Sequence, residues 1–193
     1  VQDRITTGDD SVARILLGGK AIVTVRERSV LTITEVPGTS TIELGIGKIA
    51  LAIVKERMRS GETIEIRTPN AVAGIRGTVV ITEVEQKTAQ LGAGAGAFTS
   101  RFTVLQGVVA VSQYNPLTRQ LGPTVNLGAL QTTGITGSAP PRPPQTLTPE
   151  AARQLASEYK TTIKEAPPAA NAALANAQVQ QAVNHVGAVL GPR

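Results

Sequence analysis

The sequence predicts a mainly β protein with a helical C-terminal tail, on three observations. From Ile15 to Leu127 apolar and polar residues alternate in short runs, about eight to twelve residues apart, broken by Gly, Pro, Ser or charged turns. The apolar residues, 41% of the chain, are nearly all Ile, Val, Leu and Ala, with two Phe, two Tyr and no Trp. A core made of them is a set of thin aliphatic layers, which suits strands. Beyond Gly134 the alternation stops, and prolines and then alanines accumulate. Strands at this spacing fit a sandwich, a barrel or a β-solenoid.

Taken in order, Ala21–Val25, Val30–Thr34, Thr41–Leu44, Lys48–Ile53, Thr63–Ile66 and Val79–Val84 each carry the period of a half-buried strand. Phe102–Leu105, Val108–Ser112 and Thr124–Leu127 continue the series. Gly92–Ala97 superficially fits a dinucleotide loop, but strand-like sequence follows it where a helix would be needed, so it reads as a hairpin tip. Ser138–Pro144 can form neither helix nor inner strand and reads as an extended spacer. The expected division is a β domain at 1–133, a Pro-rich linker at 134–147 and a helical tail at 148–193.

Thr148-Pro149-Glu150 is a helix start, with Thr as N-cap, Pro at the first helical position and Glu at the positive end of the dipole. Ala152, Leu155, Ala156, Tyr159 and Ile163 then form one apolar stripe that Pro167-Pro168 ends. A second, Ala-rich helix is expected from about Ala169 to Val186, with Val179, Val183, Val186 and Leu190 making a narrow seam of the kind that packs on something else.

The side chains of catalysis are sparse, and the chain reads as non-enzymatic, without cofactor or metal. There is no cysteine, so neither a disulfide nor a thiolate metal site can form. The one histidine, His185, has no His or Cys partner and reads as a solvated surface residue. Asp3, Asp9 and Asp10 lack the spacing of a calcium loop. The formal charge of +5 and pI near 10 invite a nucleic-acid reading. Against it, bases alternate with acids, as in Arg26-Glu27-Arg28 and Lys55-Glu56-Arg57, and the few aromatics give no stacking platform. No apolar run is long enough to span a bilayer. The start at Val1 reads as a processed chain or a fragment. No Asn-x-Ser/Thr sequon occurs, and the many threonines read as the solvent face of strands or as O-glycan sites.

The most distinctive segment is Arg67-Thr68-Pro69-Asn70-Ala71-Val72-Ala73-Gly74-Ile75-Arg76-Gly77-Thr78. Pro69 fixes its own φ and pushes Thr68 towards extended geometry, while Gly74 and Gly77 permit positive φ. The segment resembles the signature of the FecR domain, Arg-Thr-Pro, a few small residues, then Val-Arg-Gly-Thr, with Ile75 in place of Val. Asp3-Arg4-Ile5-Thr6-Thr7-Gly8, Leu44-Gly45-Ile46-Gly47-Lys48-Ile49 and Val104-Leu105-Gln106-Gly107-Val108-Val109-Ala110-Val111 are similar to the other landmarks of that family, in the same order. The resemblance implies an extracytoplasmic, solenoid-like stack of short strand pairs. Arg67 and Arg76 then serve either to lock the stack, through acids such as Glu65 or Glu83, or to grip a partner's carboxylate.

Two functions are compatible with this reading. The first expectation is a secreted or cell-surface structural subunit that polymerises with copies of itself into a filament or surface layer. In it, the family's first strands are missing ahead of Asp3 and leave an open edge, and the tail residues Leu155, Tyr159, Ile163, Val179, Val183, Val186 and Leu190 reach a neighbouring copy. The alternative is a periplasmic sensor module of cell-surface signalling, as the resemblance implies for proteins that relay a signal from an outer-membrane receptor to a sigma factor.

Overall fold

The computed structural model describes residues 2–75, 77–86 and 97–159. Thirteen strands form one curled, open sheet. In chain order they are β1 (Gln2–Thr6), β2 (Ala13–Leu17), β3 (Ala21–Val25), β4 (Val30–Val36), β5 (Thr39–Ile53), β6 (Thr63–Thr68), β7 (Ala71–Ile75), β8 (Val79–Gln86), β9 (Phe98–Gln106), β10 (Val109–Asn115), β11 (Gln120–Leu127), β12 (Gln131–Thr136) and β13 (Gln145–Thr146). An α-helix, α1 (Pro149–Ser157), follows among the described residues.

The curl is set by β5. Its first half pairs with β4 and, in parallel, with β6, whereas its second half pairs with β3 and β8. Thr41–Leu44 and Lys48–Ile53, expected as two strands, are therefore one strand that passes from one arm of the sheet to the other. The handover lies at Gly47, whose φ is +102° and where a Cβ would collide with Ser29. That close approach lets the Ser29 hydroxyl accept the Lys48 N–H at 3.0 Å. One arm runs β1-β4-β5-β6-β7-β10-β11, the other β2-β3-β5-β8-β9-β12-β13. The mainly β class holds. The stack of strand pairs is not confirmed, because what organises the chain is this single sheet folded on itself.

The inner faces of the two arms bury one aliphatic cluster, including Val23, Leu31, Ile42, Leu51, Ile64, Ile66, Val80 and Val104, with Phe102 as its largest member. Burial of each such side chain stabilises by roughly 1.5–3 kcal/mol, which is the main force closing the curl. A second, smaller cluster lies on the outer face of the second arm, where Ala152, Ala156 and Tyr159 pack on Val79, Ile81 and Leu105. β8 is therefore buried on both faces from Val79 to Val84, which is why its sequence runs apolar instead of alternating.

α1 begins as its sequence dictates: the Thr148 side chain accepts the Ala151 N–H at 3.2 Å, with Pro149 in the first turn. The spacer expected at Ser138–Pro144 is not borne out. Pro141 is buried, the Arg142 N–H donates to Gly134 O at 3.0 Å, and Thr133 Oγ1 donates to Arg142 O at 2.6 Å, so this stretch lies along β12. β13 then pairs with β12 and delivers the chain to α1. The Gly92–Gly96 tip, His185, Ile163, the second helix and its seam Val179, Val183, Val186 and Leu190 lie outside the described residues.

Candidate functional site

The strand register arranges the outer face of the second arm in three parallel bands. The middle band reads Arg14, Thr24, Ala50, Ile81, Thr103 and Thr132 from β2 to β12. To one side lies a charged band, Lys48, Glu83 and Arg101 as direct cross-strand partners on β5, β8 and β9. On the other side Leu16, Ile22, Ala52 and Val79 form an apolar band across β2, β3, β5 and β8. α1 sits on this face with its small residues Ala152 and Ala156 down. It walls one cleft, on the charged side, while a smaller one at the apolar band is lined by residues outside the helix.

The larger cleft, about 500 Å³, lies on the charged side between α1, β9, β12 and the Arg142–Gln145 stretch. At its floor Glu83, with a side chain only 11% exposed, is held between Lys48 Nζ at 3.2 Å and Arg101 Nη1 at 3.4 Å. Both cations keep much of their surface in solvent. A buried carboxylate fixed by two half-exposed cations leaves unused donors pointing outward, the arrangement that recognises carboxylates and carbonyls of a partner. Threonines 99, 103, 132 and 136 add a row of hydroxyls, coupled in pairs at 3.0 Å (Thr103–Thr132) and 3.3 Å (Thr99–Thr136). Tyr159, just past α1, is buried beside Glu83. Burial, then the charges of Glu83 and Glu158, push its phenol well above the usual tyrosine range, and Arg26 opposes them.

The signature residues lie elsewhere. Arg67 pairs with Glu65 of its own strand at 3.0 Å, in solvent, while Glu83 is engaged by Lys48 and Arg101. Arg76 is outside the described residues. Thr68 is buried, and with Pro69 it forms the β6–β7 corner. The corner's central residue is one that the sequence reading did not single out, Asn70. Its Nδ2 lies 3.0–3.1 Å from the carbonyls of Phe98, Ile135 and Gly137, and its Oδ1 accepts from Ser100 Oγ at 2.5 Å. One side chain of the first arm thus satisfies the backbone at the ends of β9 and β12 in the second. An Asn directly after Thr-Pro, between two strands, was the available signal.

Gly77 has φ +67°, and a Cβ on it would lie 2.7 Å from the Lys55 Cβ. Gly74, in contrast, does not use positive φ, and nothing lies within 4 Å of where its Cβ would stand. Thr78 is buried, and its Oγ1 has no hydrogen-bond partner among the described residues. Of the tail residues, Leu155 and Tyr159 pack in the outer-face cluster of their own chain. Among the described residues no helix is long and apolar enough to cross a membrane.

The sequence profile of the family described as FecR protein matches residues 3–110. No curated protein matches. Two crystal structures, at 2.50 and 1.65 Å, of a Parabacteroides distasonis protein described as an anti-sigma factor resemble the chain, each with a TM-score of 0.60 and 13% identity. Each match covers 81% of this chain and 64% of the other, so the chain spans less than two thirds of that protein's length. At this identity the likeness is one of fold.

These findings overturn the expectation of a filament or surface-layer subunit that polymerises with itself. The matched family is described as FecR protein and the structural neighbours as an anti-sigma factor, neither as a filament or surface-layer subunit, and the tail residues Leu155 and Tyr159 cover a face of their own sheet. The profile spans more than half of the sequence, and the chain belongs to the FecR protein family.

Proposed function

We propose that the chain is the extracytoplasmic sensor module of a cell-surface signalling protein, a non-catalytic domain that binds a partner protein and passes its state on. The family match over residues 3–110 carries this reading, and the neighbours described as anti-sigma factors support it. The receiving surface is the outer face of the second arm. There Lys48, Arg101 and the side chain of Arg142 border the larger cleft, and α1 lies where any occupant of the face touches it. Residues 1–133 are the receiver in this scheme, and the region from 148 onward transmits.

The test is a transcriptional reporter in the source organism. Removing residues 2–159 in frame from the full-length protein should abolish the response of its target genes to the inducing signal. The single variants Lys48→Gln and Arg101→Gln, each of which leaves Glu83 one cation, should weaken that response with the protein still folded and present. Target transcription that still follows the signal after the deletion excludes the sensor reading.

A further inference from the structure

One row of residues crosses the strands on the outer face of the second arm: Lys48 on β5, Glu83 on β8, Arg101 on β9 and Gly134 on β12 are consecutive cross-strand partners. Beyond β12 the row ends in Arg142, whose backbone N–H donates to the Gly134 carbonyl at 3.0 Å and which lines the same larger cleft. Neighbouring strands stand about 4.8 Å apart, so the three cations follow one another at about 10 Å, with one residue in each interval. In the first interval that residue is Glu83, whose carboxylate lies 3.2 Å from Lys48 Nζ and 3.4 Å from Arg101 Nη1. In the second it is a glycine, and the row supplies no carboxylate between Arg101 and Arg142.

The fold does not ask for glycine at 134. Its φ is not positive, and the nearest atom to a Cβ there would be the Ser100 carbonyl oxygen at an ordinary 3.8 Å. The β9–β12 register runs through it unbroken, so it is no bulge, and Arg142 joins it through the carbonyl, which any residue offers. A glycine inside a strand weakens it, and one without such a structural cause marks a place where a ligand or another backbone comes close. Gly134 is only half-buried, and the notch above it opens into the cleft. The Arg101 side chain beside it is 62% exposed. Arg142 is exposed and forms no ion pair among the described residues. Along β12 the notch is bounded by Thr132 and Thr136, and the Thr99–Thr136 hydroxyl pair, which uses one of its two protons internally, has the other to give. Of the charged residues lining the cleft, Lys48, Arg101 and Arg142 outnumber Glu83 and Glu158.

We infer that the notch over Gly134 seats an aspartate or glutamate side chain of the partner protein, its carboxylate held between the Arg101 and Arg142 guanidinium groups as Glu83 is held between Lys48 and Arg101. Two guanidinium groups about one carboxylate are among the stronger polar contacts available to a protein. A cleft of about 500 Å³ has room for the peptide that carries the side chain, far more than a lone anion fills. The inference rests on the reading of this face as the receiver and adds a requirement to it, one acidic residue of the partner at that point.

The probe is N-acetyl-Ala-Ala-Glu-Ala-Ala-amide, titrated at low salt into the isotope-labelled 193-residue chain and followed by amide NMR shifts. Saturable shifts should centre on Thr132, Gly134, Thr136 and Arg142, and added salt should weaken them. The counterpart with Gln in place of Glu should bind at least ~10-fold more weakly. Arg142→Gln should weaken binding of the Glu peptide at least ~5-fold. Gly134→Val, which fills the notch with a residue that strands favour, should abolish it, thermal melts showing both variants folded. Absence of saturable shifts up to the peptide's solubility, equal binding of the Gln peptide, or undiminished binding by either folded variant overturns the inference. So does acetate or inorganic phosphate binding as tightly as the Glu peptide, which would mark a site for a free anion. The titration is independent of the reporter response: a notch that binds no peptide, with an intact dependence of signalling on this domain, removes the carboxylate seat and leaves the sensor.

Discussion

Ser100 Oγ donates to Asn70 Oδ1 across 2.5 Å, in a position where both residues are buried, and so ties β9 of one arm to the β6–β7 corner of the other. The same asparagine faces three backbone carbonyls through its amide. Asn70→Ala removes both functions and strands buried acceptors. We expect a loss of about 2–4 kcal/mol, measured by urea unfolding. Asn70→Asp should be equally damaging, because a carboxylate cannot donate to carbonyls. A melting curve unchanged in either variant would show that the arms are held by the aliphatic core alone.

Gly77→Val should cost about 1–3 kcal/mol, since a β-branched residue is strained at positive φ and its Cβ must displace Lys55, 2.7 Å away. Gly74→Ala is the control. With ordinary φ and open space around the Cβ, it should change stability by no more than about 0.5 kcal/mol. Thermal melts of the two variants side by side decide whether the signature glycines share one role or, as the geometry has it, do not.

These two glycines show what the sequence could and could not convey. Gly-rich spacing announces a corner, but only the backbone says which glycine turns it. Strands with one wetter face, such as β4 and β6, are legible from alternation. β7 was hidden because Ala71-Val72-Ala73-Gly74-Ile75 is small and turn-like in composition, although Ala71 and Ala73 are fully buried. β12 was hidden because Gln131-Thr132-Thr133-Gly134 is polar, its outer side lining the larger cleft. The charged band has no local signal at all: Lys48, Glu83 and Arg101 are neighbours only through the β5–β8 and β8–β9 registers. Ser138–Pro144 reads as a spacer because proline cannot join an inner ladder, yet Arg142 bonds to the edge of β12.

Lys48 and Arg101 share one carboxylate, so their contributions should not add. Either cation alone still compensates Glu83, whose side chain is nearly buried, while both remain largely hydrated when unpaired. Lys48→Met or Arg101→Met singly should cost no more than about 1 kcal/mol. The double variant should exceed the sum by at least ~0.5 kcal/mol, because it leaves the carboxylate without a cation. A double-mutant cycle by urea unfolding measures this directly, and strict additivity would mean that solvent already screens the floor of the cleft.

Tyr159 gives the domain an alkaline limit. Its hydroxyl is buried with no hydrogen-bond partner among the described residues, and burial together with Glu83 and Glu158 raises its pKa in the folded state. For an acid raised on folding, the folded state holds its proton over a range of pH in which the unfolded chain has already released it, so stability falls as pH rises above about 10, the ordinary tyrosine value. Below that pH the full contribution is present. Tyr159→Phe deletes both the ionisation and the unpaired hydroxyl and keeps the ring against Val79, Ile81 and Leu105. At neutral pH the variant should therefore be as stable as the parent, or more so by up to about 1 kcal/mol. Above pH ~10 it should lose stability less steeply than the parent does. Unfolding curves of the two proteins taken from pH 8 to pH 11, about either side of the reference value, supply the comparison. Parallel pH profiles would mean that Tyr159 reaches water in solution, and with it that the C-terminal end of α1 lifts from the sheet.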